Sequence, residues 1–275
     1  MPFTTGHRSP FPPLLCIAIA LLGPALGCRS VKEATLPPTL ARGTLRVGME
    51  ANWMPFEYLD EQGELVGFDV DLARELGGRL GVQVRFVANL SYDGLYDALR
   101  AGQVDLVISA IVVDPARMAD FAYSRAYFDA GQVLVVRRGE EALRGGRGRL
   151  PPLAGRRLAV ELGSAGDELA RWWARRLPNL TLHHYDTAEH AMQAVLQDEA
   201  DAAVTDRVTA LLYTGARPAL VVAEPPLTDE QYAIVLRRED QALLRAVNAA
   251  LDAMRRDGTL EQLEKRWMGG SRAAR

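Results

Sequence analysis

The strongest constraint on the fold is an alternation of short β-branched runs with longer amphipathic stretches, which begins at Gly43 and continues almost to the end of the chain. The first run, TLRVGM at 44–49, is followed by a stretch at 69–80 whose apolar side chains recur every three or four residues. This pattern predicts a strand followed by a helix. Its repetition predicts parallel strands covered by helices on both faces, so we expect an α/β fold.

The alternation runs in two series, which predicts two lobes instead of one large sheet. The first series has strands at 44–49, 82–87 and 104–109, and the second restarts with a strand at 131–138. The predicted segments are lobe 1 at 43–130, lobe 2 at 131–229, a return to lobe 1 at 230–269, a tail at 270–275, and crossings between the lobes near 129–132 and 227–233.

The first 27 residues are predicted to be a signal peptide and not part of the fold. They carry a basic residue but no acid, and an apolar run from Leu14 to about Leu22 that is too short for a membrane span. Ala25 and Gly27 fit ordinary signal cleavage, whereas the segment ending at Cys28 resembles a lipobox, which makes Cys28 a lipidation site. Residues 28–42 lack periodicity and contain two adjacent prolines, so we expect a tether.

Charge and cysteine content exclude several classes of site. A formal net charge of −3 leaves no general positive field for nucleic acid. Both cysteines lie near the N-terminus, so the body of the chain has neither a disulfide framework nor a cysteine zinc site. His183 and His184 are neighbours on a predicted strand and point to opposite faces, so we expect no metal and no cofactor.

Motifs spread over about 43–268 resemble one family. The matching stretches are GTLRVGMEANWMPFEYLDEQGELVGFDVDLARELGGRLGVQVRFV, SYDGLYDALRAGQVDLVIS, DPARMADFAYSRAYFDAGQVLVVRR, LAVELGSAGDELA, ADAAVTDRVTALLY and PPLTDEQYAIVLRRED, with DGTLEQLEKRW near the end. In this order they resemble the family 3 solute-binding proteins of bacterial ABC importers. The resemblance implies a type II periplasmic-binding-protein fold, in which two α/β lobes with mostly parallel sheets are joined by two hinge crossings.

Two charged residues carry the ligand contacts that this resemblance implies. Arg117 matches the arginine that clamps the carboxylate of the ligand, because its planar fork fits a carboxylate with two parallel N–H donors. Asp206 matches the acid that pairs with the ammonium group of the ligand. Without the resemblance, Arg117 is an exposed loop charge and Asp206 is the N-cap of a helix, and one carboxylate can serve both as a cap and as a ligand contact.

The remaining implied ligand residues form three groups. The turn Gly163, Ser164 and Ala165 offers backbone N–H groups at a helix start, where an anion is attracted. Glu50, Trp53 and Tyr92 match the part of the pocket that holds the ligand side chain, where aromatic faces stack and Glu50 pairs with a cation.

A third group, Ser109, Ala110 and Val112, matches a strand end that commonly offers hydroxyls and a carbonyl to the ammonium group. Here the sequence departs from the family pattern, because Val112 and Ala165 stand where hydroxyl residues are common. We therefore expect an amino acid or a similar zwitterion, with a bulkier or altered ligand as an open alternative. Asp69 and Asp71 lie near a helix start, where acids suit the dipole, and are not expected to form an acid/base pair.

The resemblance implies a receptor on the periplasmic or extracellular side that passes its ligand to an ABC permease. We expect a monomer, anchored to the membrane by lipid at Cys28. It is not expected to be an enzyme. The alternative is an enzyme on the same scaffold, similar to a cyclohexadienyl dehydratase acting on prephenate or arogenate, with Glu50 or Asp206 as general acid.

Overall fold

The computed structural model describes residues 37–269. The predicted signal peptide at 1–27, the lipidation candidate Cys28, most of the tether and the tail at 270–275 lie outside the described residues. Within the described range, no helix combines the length and the apolar character that a membrane crossing requires.

The described strands are, in chain order, β1 (Thr44–Gly48), β2 (Asn52–Trp53), β3 (Glu57–Leu59), β4 (Leu65–Val66), β5 (Gln83–Val87), β6 (Leu106–Val107), β7 (Phe121–Tyr123), β8 (Phe128–Asp129), β9 (Gln132–Arg137), β10 (Arg157–Glu161), β11 (Thr181–Tyr185), β12 (Ala202–Asp206), β13 (Leu220–Ala223), β14 (Gln231–Tyr232) and β15 (Val235–Arg237). The described α-helices are α1 (Pro38–Ala41), α2 (Phe68–Leu80), α3 (Tyr92–Arg100), α4 (Ala165–Ala174), α5 (Ala188–Leu196), α6 (Arg207–Gly215), α7 (Gln241–Arg256) and α8 (Thr259–Met268). Two 3-10 turns lie at Pro115–Arg117 and Glu141–Leu143.

Lobe 1 is a five-stranded sheet in the order β5-β1-β6-β15-β7. The β–α–β units make β1 parallel to β5 and β6, whereas β15 returns from the other lobe and pairs antiparallel with β6 and β7. Helix α2 buries the predicted apolar stripe. The residue that follows it, Gly81, has a φ of 69°, which suits a left-handed C-cap. Ser91 caps α3 as its position predicts, accepting from the N–H of Gly94.

Lobe 2 repeats the arrangement with a sheet in the order β11-β10-β12-β9-β13. Strand β10 is parallel to β11 and β12, and β9 is antiparallel to β12 and β13. Separate apolar clusters cover the two faces of this sheet, one against α5 and one against α4. The two-lobed α/β fold class predicted from the sequence is therefore confirmed.

Two chain crossings join the lobes. Strands β8 and β14 pair antiparallel, with Gln231 opposite Asp129 and Tyr232 opposite Phe128. Beside this pair, α6 of lobe 2 packs its apolar side chains against the core of lobe 1. The guanidinium of Arg207 at the start of α6 makes two hydrogen bonds of 2.9 Å to Glu264 of α8.

The last residues of the segment predicted as a tether are packed against lobe 1. Leu40 of α1 is buried in the core, and Arg42 contacts Asp105 at 2.8 Å. Asp105 is itself 1% exposed and also accepts from the backbone N–H and the guanidinium of Arg46. These contacts tie residues 40–42 to the start of β6, so we propose that the tether ends before residue 37.

Candidate functional site

Each lobe places predicted ligand residues where its strand order reverses. In lobe 1 the chain proceeds from β1 to β5 on one side and then to β6 on the other, so the reversal lies between β1 and β6. In lobe 2 the corresponding point lies between β10 and β12. Open α/β sheets bind ligands in the crevice outside the carboxyl ends of the strands at such a switch point. These two edges together form the candidate site.

At the lobe 1 edge, the residues after β1 and β6 are linked to each other. The backbone N–H of Glu50 donates to the Oγ of Ser109 at 3.0 Å. The Glu50 carboxylate is half-buried and accepts from the side-chain amide of Asn52 at 3.2 Å. Ala110 follows with a φ of 44°, which is unusual for a residue with a side chain. Beyond it, Val112 is 42% exposed and bridges to Tyr232.

Arg117 lies on the same side of lobe 1, at the end of a 3-10 turn. Its guanidinium carbon is 4.1 Å from the centre of the Tyr96 ring, a stacking contact that orients the planar group. It also contacts Asp114 at 3.4 Å and Asp93 at 3.8 Å. Both acids are exposed, and exposed ion pairs contribute little. Among the described residues, the acidic partners of Arg117 are therefore weakly held.

Two predicted aromatic residues of lobe 1 present open faces. Trp53 is 56% exposed on β2, and Tyr92 is 46% exposed at the start of α3. Tyr92 makes an edge contact with Tyr96, with 6.1 Å between ring centres. Burial raises the pKa of Tyr92, so its hydroxyl stays neutral over the physiological range. Large exposed aromatic faces are suited to stacking on an aliphatic or planar cationic ligand group.

In lobe 2, the turn from Gly163 to Gly166 joins β10 to α4. The Oγ of Ser164 accepts from the backbone N–H of Asp167 at 3.1 Å, and its hydroxyl donates to the carbonyl of Glu161. The Gly163 N–H donates back to the carboxylate of Asp167 at 3.0 Å. Local contacts thus use the Gly163 N–H and the Ser164 hydroxyl. The first-turn N–H groups of Ala165 and Gly166 remain for another acceptor, and a helix start of this kind favours an anion.

The carboxylate behind this turn is firmly ionised. Burial of Asp167 favours its neutral form, but hydrogen bonds from Arg171, the Gly163 N–H and His184 outweigh it and lower the pKa of Asp167. His184 therefore has a carboxylate partner at 3.0 Å. Within residues 37–269, no three histidine, cysteine, aspartate or glutamate side chains are grouped closely enough to hold a metal ion.

Asp206 ends β12 and caps α6 at the same time. One of its carboxylate oxygens accepts from the backbone N–H of Thr209 at 2.9 Å. The capping interpretation of Asp206 is therefore correct, and the second oxygen is not used by this cap. The turn of α4 is close by, because a side-chain carbon added at Gly166 would lie 2.9 Å from the carbonyl of Val204 on β12.

The edges of the two lobes meet at Tyr232. Burial raises the pKa of this phenol, and so do the nearby charges of Asp206 from lobe 2 and Asp69 from lobe 1. The backbone N–H of Tyr127 also donates to the carbonyl of Tyr232. The carboxylate of Asp206 therefore lies within electrostatic range of the lobe 1 edge, although the two residues are far apart in the sequence.

Two acidic residues that the sequence pattern does not assign to the site lie directly beneath the lobe 1 edge. Glu57 on β3 is 1% exposed and Asp69 on α2 is fully buried. The Oε1 of Glu57 accepts from the Ser109 hydroxyl at 2.6 Å, and the Oδ2 of Asp69 accepts from the N–H of Ala110 at 2.7 Å. The sequence predicts only an interaction with the helix dipole for Asp69. Its place on the apolar stripe of Leu72 and Leu76 was the signal for burial.

Both buried carboxyls have raised pKa values. Burial, followed by the charge of Asp69, raises the pKa of Glu57 to about 10. Burial raises the pKa of Asp69 to about 6 despite hydrogen bonds from the Ala110 N–H and the Tyr127 hydroxyl. Burial therefore favours a proton on Glu57, whereas the hydrogen bonds from the Ala110 N–H and the Tyr127 hydroxyl favour the ionised form of Asp69, which gives the two acids different roles.

Comparison with known proteins relates this architecture to one family. The family model described as "Bacterial extracellular solute-binding proteins, family 3" matches residues 45–270. The L-cystine-binding protein TcyJ of Escherichia coli is 29% identical over 92% of this chain and 93% of its own length. The histidine-binding periplasmic protein of Escherichia coli is 30% identical over 81% of this chain and 86% of its own.

A solved structure with a different activity in its name is also similar. The crystal structure of an ancestral cyclohexadienyl dehydratase superposes with a TM-score of 0.70 at 30% identity. The similarity covers 84% of this chain and 94% of that one. The shared scaffold therefore includes proteins named for binding and a protein named for catalysis.

Proposed function

Because this chain belongs to the family 3 bacterial extracellular solute-binding proteins, we propose that it captures an amino acid outside the cytoplasm and delivers it to an ABC permease. The proposal is supported by two relatives whose names state that they bind cystine and histidine. The sequence similarity to them extends over more than four fifths of each chain. We further propose that it acts as a monomer, exported by residues 1–27 and anchored to the membrane through Cys28, which lie outside the described structure.

The observation that supports this proposal is a pair of opposite charges, one in each lobe: Arg117 stacked on Tyr96 of α3, and Asp206 at the end of β12. Arg117 on lobe 1 would hold the carboxylate of the ligand, and Asp206 on lobe 2 would hold its ammonium group. A ligand with both charges contacts both lobes at once. It therefore stabilises the closed arrangement more than the open one, and this difference in affinity drives closure about β8 and β14.

The surroundings of these charges favour a ligand with a polar or cationic side chain. Glu50 is a half-buried acid directly after β1, and Trp53 and Tyr92 supply exposed aromatic faces. Val112 and Ala165 add no hydroxyl, so contacts at their positions are limited to backbone groups. Binding would rest on ion pairs and stacking more than on side-chain hydroxyls.

A thermal-shift screen followed by calorimetry tests the proposal. The panel contains L-cystine, L-histidine, L-arginine and prephenate. We expect at least one of the amino acids to raise the melting temperature and to bind with a measurable Kd. If none of the three amino acids binds, the proposal that this protein is an amino acid receptor is wrong.

The variant Asp206→Asn separates ligand binding from helix capping. Asparagine caps a helix as well as aspartate does, so the variant keeps the contact to Thr209 and loses only the charge. We expect an unchanged melting temperature and an affinity for the bound amino acid lower by about tenfold, because a hydrogen-bonded charge contact is removed. Equal affinity of variant and wild type would limit Asp206 to capping.

A second candidate function rests on the similarity to the ancestral cyclohexadienyl dehydratase. On this alternative, the protein eliminates water and carbon dioxide from prephenate, with Glu50 or Asp206 as the general acid. Formation of phenylpyruvate that depends on enzyme concentration and disappears in Glu50→Gln or Asp206→Asn would establish it. Amino acid binding without turnover of prephenate would leave the receptor function alone.

A further inference from the structure

Two buried carboxyl oxygens under the lobe 1 edge have no donor among the described residues. They are the Oε2 of Glu57 and the Oδ1 of Asp69. The other oxygen of each group accepts a hydrogen bond. The donor is the Ser109 hydroxyl at 2.6 Å for Glu57 and the Ala110 N–H at 2.7 Å for Asp69. The Tyr127 hydroxyl also donates to Asp69, at 2.8 Å. Buried oxygens without a donor are costly, so this pattern requires an explanation.

A single shared proton satisfies both oxygens. The two carboxyl groups lie close together, because they bind the adjacent residues Ser109 and Ala110, and the backbone N–H of Asp69 donates to the carbonyl of the residue before Glu57 at 2.8 Å. A proton on the Oε2 of Glu57 can be donated to the Oδ1 of Asp69, and every polar atom of the pair then has a partner. Without that proton, two negative charges would face each other in a dry interior.

The charged and titratable groups that face this pair offer no positive charge as an alternative. They are Glu50 after β1, Tyr127 before β8 and Tyr232 on β14. Among residues 37–269, no arginine or lysine forms an ion pair with Glu57 or Asp69. A proton is the remaining way to reduce the charge.

We propose that Glu57 keeps its proton at neutral pH, donates it to Asp69, and that the two act together as a positioning pair for the ligand-binding end of β6. This inference rests on the proposed function, because only a ligand at this edge makes the positioning useful. The raised pKa of Glu57, caused mainly by burial, is consistent with it.

The hydrogen bonds run in sequence through the lobe 1 edge. The N–H of Glu50 donates to Ser109, the Ser109 hydroxyl donates to Glu57, and the Glu57 acid donates to Asp69. Asp69 in turn accepts from the N–H of Ala110. Ala110 has a φ of 44°, a region that non-glycine residues occupy only when their surroundings hold them there. The pair therefore fixes the backbone of Ser109 and Ala110.

The arrangement also changes what Ser109 can offer a ligand. Its only hydroxyl hydrogen points to Glu57, and its oxygen already accepts from Glu50. We infer that this strand end presents backbone groups to the ligand, and that Ser109 contributes by holding them in place.

Two amide variants with similar shapes test the pair, and Glu64→Gln is the exposed control from the same region. In Glu57→Gln, the side-chain amide still donates to Asp69 and its carbonyl still accepts from Ser109. In Asp69→Asn, the Ala110 N–H donates to a neutral amide oxygen instead of a carboxylate, which weakens that hydrogen bond. The proposal thus predicts that the two substitutions act differently.

The first measurement needs no ligand. We expect hydrogen exchange of the Ala110 amide to match wild type in Glu57→Gln and Glu64→Gln, and to be about tenfold faster in Asp69→Asn. Infrared spectra at pH 7 should contain a protonated carboxylic acid band that Glu57→Gln lacks. Faster exchange of the Ala110 amide in Glu57→Gln than in Asp69→Asn would place the proton on Asp69 and contradict the proposal. Equal spectra of wild type and Glu57→Gln would refute proton sharing.

The second measurement connects the pair to binding. For whichever of L-cystine, L-histidine and L-arginine binds most tightly, we expect Asp69→Asn to weaken binding about tenfold and Glu57→Gln by less than about threefold. Equal affinities would overturn the positioning role. If no amino acid binds, the proposed function fails, while the exchange and infrared results still decide the pair. If Asp69→Asn does not fold, the infrared comparison decides.

Discussion

Glu57 should make the stability of the protein depend on pH, and Glu57→Gln should remove that dependence. In the folded protein, burial keeps this carboxyl protonated up to a pKa of about 10. In the unfolded chain, a glutamate loses its proton near pH ~4.3. Between these values, the folded state binds one more proton than the unfolded state. The free energy of unfolding therefore falls as pH rises.

The magnitude follows from the number of protons. One extra bound proton gives a slope of about −1.4 kcal/mol per pH unit, or a loss of about 2.7 kcal/mol between pH 7 and pH 9. Asp69 adds little in this range because its pKa of about 6 leaves it ionised above pH 7. Glutamine has no proton to lose, so the stability of Glu57→Gln relative to wild type should rise by that amount.

Urea unfolding at pH 7, 8 and 9, followed by circular dichroism, measures this difference. Other titrating groups are common to both proteins and cancel in the comparison. Glu64→Gln, which removes an exposed carboxylate, should run parallel to wild type. Parallel curves for wild type and Glu57→Gln would show that Glu57 is already ionised in the folded protein, and the reasoning about the shared proton would be refuted.

Three further predictions concern stability and localisation. Asp105→Asn should lower the free energy of unfolding by about 2 kcal/mol, because it weakens the hydrogen bonds that this buried carboxylate accepts from Arg46. Although burial opposes it, hydrogen bonds from Arg46 lower the pKa of Asp105, so wild type loses this stability as pH falls below about 4. Urea unfolding against pH should show that loss in wild type and not in the variant. Arg207→Ala should lower the free energy of unfolding by about 2 kcal/mol, because it breaks a largely buried ion pair with Glu264. An unchanged free energy in urea unfolding would show that this ion pair does not stabilise the fold. Cys28→Ser should move the protein from the membrane fraction to the soluble fraction, and an unchanged distribution would exclude lipid anchoring through Cys28.

Long elements of the fold could be predicted from the sequence because their patterns are local. The apolar stripe of α2 repeats over more than three turns, and the polar cap Ser91 precedes α3. The small sheet of β2, β3 and β4 was missed, since strands of two or three residues are too short to show alternation. Tertiary contacts define such strands more than local preference does.

The candidate site was predictable in outline for a related reason. Asp206 is the last residue of β12 and Arg117 lies in a short turn after β6, so an approximate place for both could be inferred from the strand order and the family resemblance. The pairing of Glu57 with Asp69 could not, because it depends on how β3 packs against α2. Likewise, the sequence does not show that local contacts already use the Gly163 N–H and the Ser164 hydroxyl.

The most direct test of the proposed receptor is calorimetry of Arg117→Ala against a matched control. Arg100 is a suitable control because it is also exposed and lies over an aromatic ring, 4.9 Å from the centre of Phe121, at the far end of α3. For the amino acid that wild type binds, we expect Arg117→Ala to lower affinity by about a hundredfold, since two charged hydrogen bonds are lost, and Arg100→Ala to leave it unchanged. Equal affinities in wild type and Arg117→Ala would contradict the assignment of Arg117 as the carboxylate clamp.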